Sequence, residues 1–201
     1  MQRKTRAQQQ QETKEMLFAA AIEQIIKFGF DKTSINSISE GAGFSKGAFF
    51  SNFKNKYDLL LQLTEKLKSE ERLNLKSALA IDNENNTISI NGLNSYVDQI
   101  KNNTICVILD IEMQLIASRD QNFKQYYNQL QRENNKSLGE IICAVFKSEG
   151  VQPSLPNESL AQIFIALTEG LILQNASNPG EQIKHVLYSL IEKEKYAIKT
   201  L

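Results

Sequence analysis

Apolar residues recur every three or four positions along most of this chain, which is the spacing of one face of an α-helix. Only three prolines and nine glycines interrupt the 201 residues. The sequence therefore predicts an all-α fold of about nine helices. Besides the helices of the stretch 33–56, the predicted helices cover 12–28, 56 to about 79, 92–118 (broken near 102), 121–148, 157–175 and 181–195.

The stretch from Thr33 to Lys56 predicts two short helices joined by a tight turn. Ser34 and Ser45 each precede one helix, where a serine can cap the N-terminus. Gly43 lies between the helices and is free to adopt the positive φ that a tight turn requires. Each helix has one apolar inner face, formed by Ile35, Ile38 and Ala42 in the first and by Phe49 and Phe53 in the second.

Two short helices joined by a glycine-containing turn make a helix-turn-helix unit, whose second helix fits the major groove of DNA. The outward residues of the second helix here are small, polar or singly basic, which permits close approach to DNA. They are Lys46, Ala48, Phe50, Ser51 and Asn52. Ordinary helical hairpins share this spacing, so the pattern alone leaves DNA binding and simple packing open.

Residues 17–56 resemble the N-terminal DNA-binding domain of the TetR family of bacterial repressors. The motifs that carry the resemblance are, in order, an apolar helix, GF, TSINSI, AGFSKGAFF and FKNK. The resemblance implies a helix-turn-helix domain at 1–56 and a connector helix at about 56–80. It also implies a helical ligand-binding and dimerisation domain at 81–201.

The implied function is that of a homodimeric transcriptional repressor. It would bind a palindromic operator in double-stranded DNA and leave it when a small-molecule effector binds. Carried onto this chain, Thr33 and Lys56 would contact phosphates. The other DNA contacts would come from Ser34, Ser45, Lys46, Gly47, Ala48, Phe50 and Asn52. The family often has tyrosine at the position of Phe50 and threonine at the position of Ala48. At Phe50, a phosphate-bound hydroxyl is therefore lost or replaced by contact with a sugar or a thymine methyl.

The middle of the chain carries the candidates for an effector pocket. Residues 105–117 are apolar on most sides, as in a central helix, but Asp110 and Glu112 interrupt them. Each carboxylate either reaches solvent or a neighbouring helix end, or pairs with a cationic ligand. An apolar body with scattered acids fits a hydrophobic or cationic effector. The candidate ligand-binding residues are Ile105, Leu109, Glu112, Met113, Tyr127 and Phe164.

The last two predicted helices have wider apolar faces than one hairpin can bury on itself. Packing against a second copy would form a four-helix interface with twofold symmetry, and TetR proteins dimerise in this way. The candidate interface residues are Phe164, Leu167, Gly170, Leu171, Ile183, Val186, Leu187 and Leu190.

Charge is distributed unevenly, although the chain is neutral overall. Residues 1–56 hold nine Lys/Arg and five Asp/Glu, which favours a nucleic-acid partner for this part. Arg3, Lys4 and Arg6 lie in a polar segment ahead of the first predicted helix. That segment is either a solvated tail or a basic arm that reaches phosphates or the minor groove.

The remaining candidate chemistry argues against an enzyme. His185 is the only histidine, and no nucleophile or metal-ligand set surrounds it. Cys106 and Cys143 lack metal-site spacing, so we expect reduced thiols, with a redox pair as the alternative, and no metal or cofactor. No signal peptide or long apolar run occurs, so we expect a cytoplasmic protein without a membrane partner. The alternative function is a dimeric ligand-binding protein with a weakened DNA-binding head.

Overall fold

The structure is a computed structural model that describes residues 5–79 and 104–199. Within these ranges the chain forms eight α-helices and no strand, which confirms the all-α prediction. The helices are α1 (Arg6–Phe28), α2 (Ile35–Gly41), α3 (Lys46–Phe50), α4 (Lys56–Ala78), α5 (Thr104–Arg119), α6 (Gln121–Ser148), α7 (Asn157–Leu173) and α8 (Pro179–Lys199). The loop predicted at 81–91 and the helix start predicted at 92 lie outside the described residues. No described helix is long and apolar enough to cross a membrane.

The chain divides into two compact units that differ from the predicted domains. The first, here called the head unit, comprises Met1–Lys66 and Ile108–Tyr127. The second, the body unit, comprises Leu67–Val107 and Asn128–Leu201. Residues 108–127 were predicted to belong to the body, but they group with the helix-turn-helix. The helices α4, α5 and α6 therefore each contribute residues to both units.

Helix α1 begins at Arg6, six residues earlier than predicted. The cause is a capping box, in which Thr5 Oγ1 accepts from the Gln8 N–H at 3.2 Å and Gln8 Oε1 accepts from the Thr5 N–H at 2.8 Å. The glutamine run that follows has good helix propensity, so residues 6–11 extend the helix instead of forming a tail. The helix ends at Phe28 as predicted, where Gly29 adopts a φ of 80°.

Aromatic side chains form the centre of the head unit. The ring of Phe53 lies 5.3 Å from the rings of both Phe18 and Phe49. These contacts attach the inner face of α3 and the residues after it to α1, and α2 packs against both helices. A second aromatic row joins Phe30 to Tyr57 at 5.3 Å and Tyr57 to Phe123 at 5.5 Å. Phe123 thereby belongs to the packing of the head.

The core of the body unit contains residues from α4, α6, α7 and α8. Three of the predicted dimer-interface residues, Phe164, Ile183 and Leu187, are buried in this core. Their side chains pack within their own chain, so an interface with a second copy would depend mainly on the other candidates, and it stays a prediction. The other buried members of the core are Leu75, Leu79, Ile141, Ile142, Val145, Phe146, Val151, Leu160 and Ile191.

Candidate nucleic-acid interface

The helix-turn-helix has the caps and the turn that its sequence predicts. Ser34 Oγ accepts from the Ser37 N–H at 3.0 Å, and Ser37 Oγ accepts from the Ser34 N–H at 3.0 Å. Gly43 adopts a φ of 75° between the helices, and its N–H donates to the Glu40 carbonyl at 3.0 Å. Ser45 begins α3 by accepting from the Ala48 N–H at 3.4 Å. Local hydrogen bonds thus set the direction of α3.

Helix α3 buries one face and exposes the other. Phe49 is fully buried, whereas Ser45, Lys46, Gly47 and Phe50 are exposed. Phe50 keeps 55% of its surface exposed, so its ring is available for contact with a partner. The exposed face borders an open recess of about 300 Å³, lined by Ser34, Ile35, Asn36, Lys46 and Phe50.

Two of the predicted DNA-contacting side chains also interact with the backbone of α3 itself. Ser45 is the N-cap described above, so its hydroxyl is held at the start of the helix. Asn52 is half-buried, and its Nδ2 donates to the Ala48 carbonyl at 2.8 Å. Ala48 is also half-buried. These contacts restrict the rotamers of the polar residues that flank Lys46 and Phe50.

Thr33 does not present its hydroxyl at the surface, contrary to its predicted contact with a phosphate. The residue is only 2% exposed, and its Oγ1 donates to the Gly29 carbonyl at 2.8 Å. Its N–H donates to the Phe30 carbonyl at 3.1 Å. Thr33 therefore closes the connection between α1 and α2.

Lys56 is also bound within the chain. Its Nζ donates to the Phe30 and Thr33 carbonyls at 2.7 Å each and lies 4.1 Å from the centre of the Phe30 ring. Partial burial lowers the pKa of Lys56, while the negative charges of Asp31 and Glu112 oppose that shift. The ammonium thus holds the α1–α2 connection, and the predicted phosphate contact would require it to give up these carbonyls.

Glu112 lies in the head unit, although it was predicted as a ligand-binding residue of the body. Its Oε1 accepts from the Phe30 N–H at 3.3 Å. The carboxylate therefore faces the same peptide segment as the Lys56 ammonium. No pattern in the sequence indicated this contact, since the two residues are 82 positions apart.

The other candidate ligand-binding residues fall into both units. Leu109 and Met113 are fully buried in the head unit, and the Tyr127 hydroxyl donates to Asp110 Oδ1 at 3.3 Å. Ile105 and Phe164 belong to the body unit. Asp110 is buried, which excludes solvent among the alternatives given for its carboxylate. An effector site formed by the six candidates stays a prediction.

The described residues contain no group of three or more His, Cys, Asp or Glu side chains that could hold a metal ion. Cys143 is buried and Cys106 is half-buried, and the two do not form a disulfide bond. Cys106 Sγ lies 3.8 Å from Glu71 Oε2.

A capped helix-turn-helix whose second helix exposes small and basic residues defines a DNA-binding domain. Residues 17–63 match the family model described as bacterial regulatory proteins, tetR family. This match covers about a quarter of the chain and assigns the N-terminal segment to the DNA-binding domain of that family.

One curated relative extends the similarity beyond the family model. The chain is 38% identical over 61 residues to YwcC of Bacillus subtilis (strain 168), an uncharacterized HTH-type transcriptional regulator. The matched segment spans 30% of this chain and 27% of YwcC, so it covers about a quarter of the relative.

Solved structures share the fold over nearly the whole chain. The fatty acid degradation regulator FadR from Bacillus halodurans has a TM-score of 0.69 and 14% identity, with 94% of this chain and 97% of FadR covered. The reduced form of E. coli NemR has a TM-score of 0.67 and 18% identity, with 89% and 97% covered. At this identity the likeness establishes the fold alone.

Proposed function

We propose that the protein is a transcriptional regulator that binds a palindromic operator as a homodimer and represses transcription until a small-molecule effector releases it. The observation that carries this proposal is the exposed face of α3, held outward by the Ser34 and Ser45 caps and the turn at Gly43. The description of YwcC as a transcriptional regulator supports it. The proposed effector is a hydrophobic or cationic compound.

The DNA contacts come from the exposed residues of α3 and the start of α2. Lys46 is long, exposed and cationic, so it reaches either a phosphate or the acceptor edge of a guanine. Gly47 has no side chain to separate α3 from the bases, while Ser45, Ala48 and Asn52 flank it. Phe50 and Ser34 line the recess beside Lys46 and contact sugar or base surface there.

A second copy would cover the apolar face that α7 and α8 leave exposed. Ile163 is 46% exposed and Val186 is 37% exposed, and Leu167, Leu171 and Leu190 are only partly buried against the body core. An added Cβ at Gly170 would meet no atom within 4 Å, which leaves room for close approach of another helix. A twofold axis at this face would place two α3 helices on related half-sites.

The first experiment identifies the operator and then tests the α3 assignment. Purified protein is incubated with sheared genomic DNA of its source at moderate salt, and the retained fragments are sequenced. We expect enrichment of one palindromic site. On that site Lys46→Ala should weaken binding about tenfold, because one charged DNA contact contributes roughly 1–3 kcal/mol.

Lys147→Ala is the matched control, since Lys147 is an exposed lysine near the end of α6 in the body unit. It should bind the operator like the wild-type protein. Equal affinity of both variants would remove Lys46 from the interface. Retention of no specific site, even at low salt, would favour a dimeric ligand-binding protein with a weakened DNA-binding head.

A further inference from the structure

We infer that Lys56 and Glu112 are positioning residues for DNA binding, which hold the α1–α2 connection from two sides without touching DNA. This inference rests on the proposed function. It changes the roles that the sequence predicted for both residues, which were a phosphate contact for Lys56 and an effector contact for Glu112.

The backbone of Phe30 is the point at which the two side chains meet. Its carbonyl accepts from Lys56 Nζ at 2.7 Å, and its N–H donates to Glu112 Oε1 at 3.3 Å. Phe30 is only 1% exposed, so neither backbone group has ready access to water. A buried polar group left without a partner costs about 1–3 kcal/mol. Both side chains therefore stabilise the observed path of the backbone at Phe30.

The position of Lys56 links the α1–α2 connection to the orientation of α3. Its ammonium bridges the carbonyls of Phe30 and Thr33, and Thr33 immediately precedes Ser34, the N-cap of α2. The bridge thus fixes where α2 begins relative to α4. Because α2 packs against α3, an error at this bridge would change the direction in which α3 faces DNA.

The same geometry argues against a phosphate contact by Lys56. An ammonium has three donors, and two of them are occupied at 2.7 Å while the group lies over the Phe30 ring. Asp31 and Glu112 provide negative charge close to the ammonium. Reaching a phosphate would break two short hydrogen bonds and leave two backbone carbonyls without this donor.

Glu112 completes the arrangement from a helix outside the helix-turn-helix. Glu112 on α5 accepts a hydrogen bond from the N–H of Phe30, whereas Lys56 on α4 donates one to its carbonyl. The two contacts act on one peptide segment, so their effects on DNA binding should not be additive. Removal of both side chains should cost less than the sum of the two single losses.

Salt dependence separates positioning from contact. The affinity for DNA falls with salt, and the loss of one phosphate contact makes the slope of log K against log salt less steep by about 0.9. A side chain that only positions a helix contacts no phosphate, so its loss should weaken binding and leave the slope unchanged. Operator binding of the wild-type, Lys56→Met, Glu112→Ala and double-variant proteins would be measured by fluorescence anisotropy between about 50 and 200 mM salt. We expect each single variant to lose about tenfold in affinity with the wild-type slope.

If Lys56→Met or Glu112→Ala unfolds the head unit, conservative variants can still test the inference. Lys56→Arg retains the charge, so it would preserve a phosphate contact. Its larger, planar guanidinium directs its donors differently from the compact ammonium that lies 2.7 Å from both carbonyls, so we expect the bridge to be distorted. We expect Lys56→Arg to lose several-fold in affinity with an unchanged slope. Glu112→Gln keeps a hydrogen-bond acceptor and should bind more tightly than Glu112→Ala. The exposed Glu140 in the body unit supplies the control Glu140→Ala, which should not affect binding.

Three results would overturn the inference. A slope reduced by about 0.9 in Lys56→Met, with Lys56→Arg equal to wild type, would make Lys56 a phosphate contact. Wild-type affinity in Glu112→Ala would remove Glu112 from DNA binding. Fully additive losses in the double variant would mean that the residues do not act on one segment. Absence of operator binding by the wild-type protein would instead contradict the proposed function itself.

Discussion

The head unit and the body unit differ in how closely their sequences follow those of other proteins. Residues 17–63 of the head unit match a family model. FadR and NemR match nearly the whole chain in fold but share only 14% and 18% of its residues. A helix that enters DNA must fit a groove of nearly constant shape, whereas the burial of a core accepts many apolar sequences. The sequence therefore indicates a class of function through residues 17–63 and much less through the body unit.

The helix-turn-helix by itself and the body unit also differ in the range of the interactions that shape them. In the helix-turn-helix, Ser34 Oγ accepts from the Ser37 N–H, and the Gly43 N–H donates to the Glu40 carbonyl. Both hydrogen bonds join residues that are three positions apart. In the body unit, helices α6 and α7 come close at Gly139 and Asn157, 18 positions apart. Substitutions of glycine in each unit can test this difference.

The largest effect is expected from Gly139→Ala in the body unit. An added Cβ would lie 2.4 Å from the carbonyl oxygen of Asn157, and a backbone atom cannot move aside as a flexible side chain can. We expect a loss of about 3 kcal/mol in the free energy of unfolding, at the upper end for overpacked sites. Denaturant unfolding followed by circular dichroism measures it.

Gly41→Ala in the head unit is the matched control. Its added Cβ would lie 3.5 Å from the Cβ of Ala20, an ordinary contact, and alanine gains about 0.5–1 kcal/mol over glycine in a helix. Equal stability of Gly139→Ala and the wild-type protein would show that α6 and α7 do not approach each other as described.

A smaller effect, but a sharper contrast, is expected from two glycines with the same backbone conformation. Gly43 in the head and Gly150 in the body have φ of 75° and 76°, and neither would place a Cβ within 4 Å of another atom. Each change to alanine should cost about 1–2 kcal/mol in stability through backbone strain alone. Only Gly43→Ala should also weaken operator binding, because that turn directs α3.

Thermal unfolding and operator affinity of the two variants, measured side by side, separate the two consequences. If Gly150→Ala weakened operator binding as much as Gly43→Ala did, the loss would reflect general destabilisation. The turn at Gly43 would then have no special role in DNA binding.

The success of the sequence predictions follows the same division between local and distant contacts. Ser34, Gly43 and Ser45 could be assigned because caps and tight turns depend on neighbouring residues. Lys56 and Glu112 could not, because their partner Phe30 is 26 and 82 positions away. Glu112 also lies in a helix whose apolar sequence had placed it in the body.

The predictions for the dimer interface were limited because sequence periodicity does not show which apolar residues are buried in the chain's own core. Phe164, Ile183 and Leu187 lie on apolar faces that are wide enough for two partners, and periodicity cannot tell which residues face the chain's own core. The structure assigns these three to the body core and leaves Ile163 and Val186 exposed. A helical pattern thus identifies the apolar face of a helix, but it does not tell whether the chain's own core or another copy packs against that face.

The smallest predicted effect concerns Phe50, where this head departs from the tyrosine common in the family. Phe50→Tyr would add a hydroxyl at an exposed position beside Lys46, within the recess that borders α3. If the ring lies against the DNA backbone, the hydroxyl donates to a phosphate oxygen, and operator affinity rises by about 1 kcal/mol, roughly fivefold. The slope against salt should stay the same, because no charge is added.

A loss of affinity in Phe50→Tyr would carry different information. The ring would then contact an apolar part of DNA, such as a thymine methyl, that a hydroxyl displaces. Replacing thymine by deoxyuridine at single operator positions removes only that methyl, so one position should then weaken wild-type binding while leaving Phe50→Ala unaffected. Because Phe50 is exposed in the free protein, neither change should alter the free energy of unfolding appreciably. The effect on affinity therefore reports the partner of the ring and not the stability of the head.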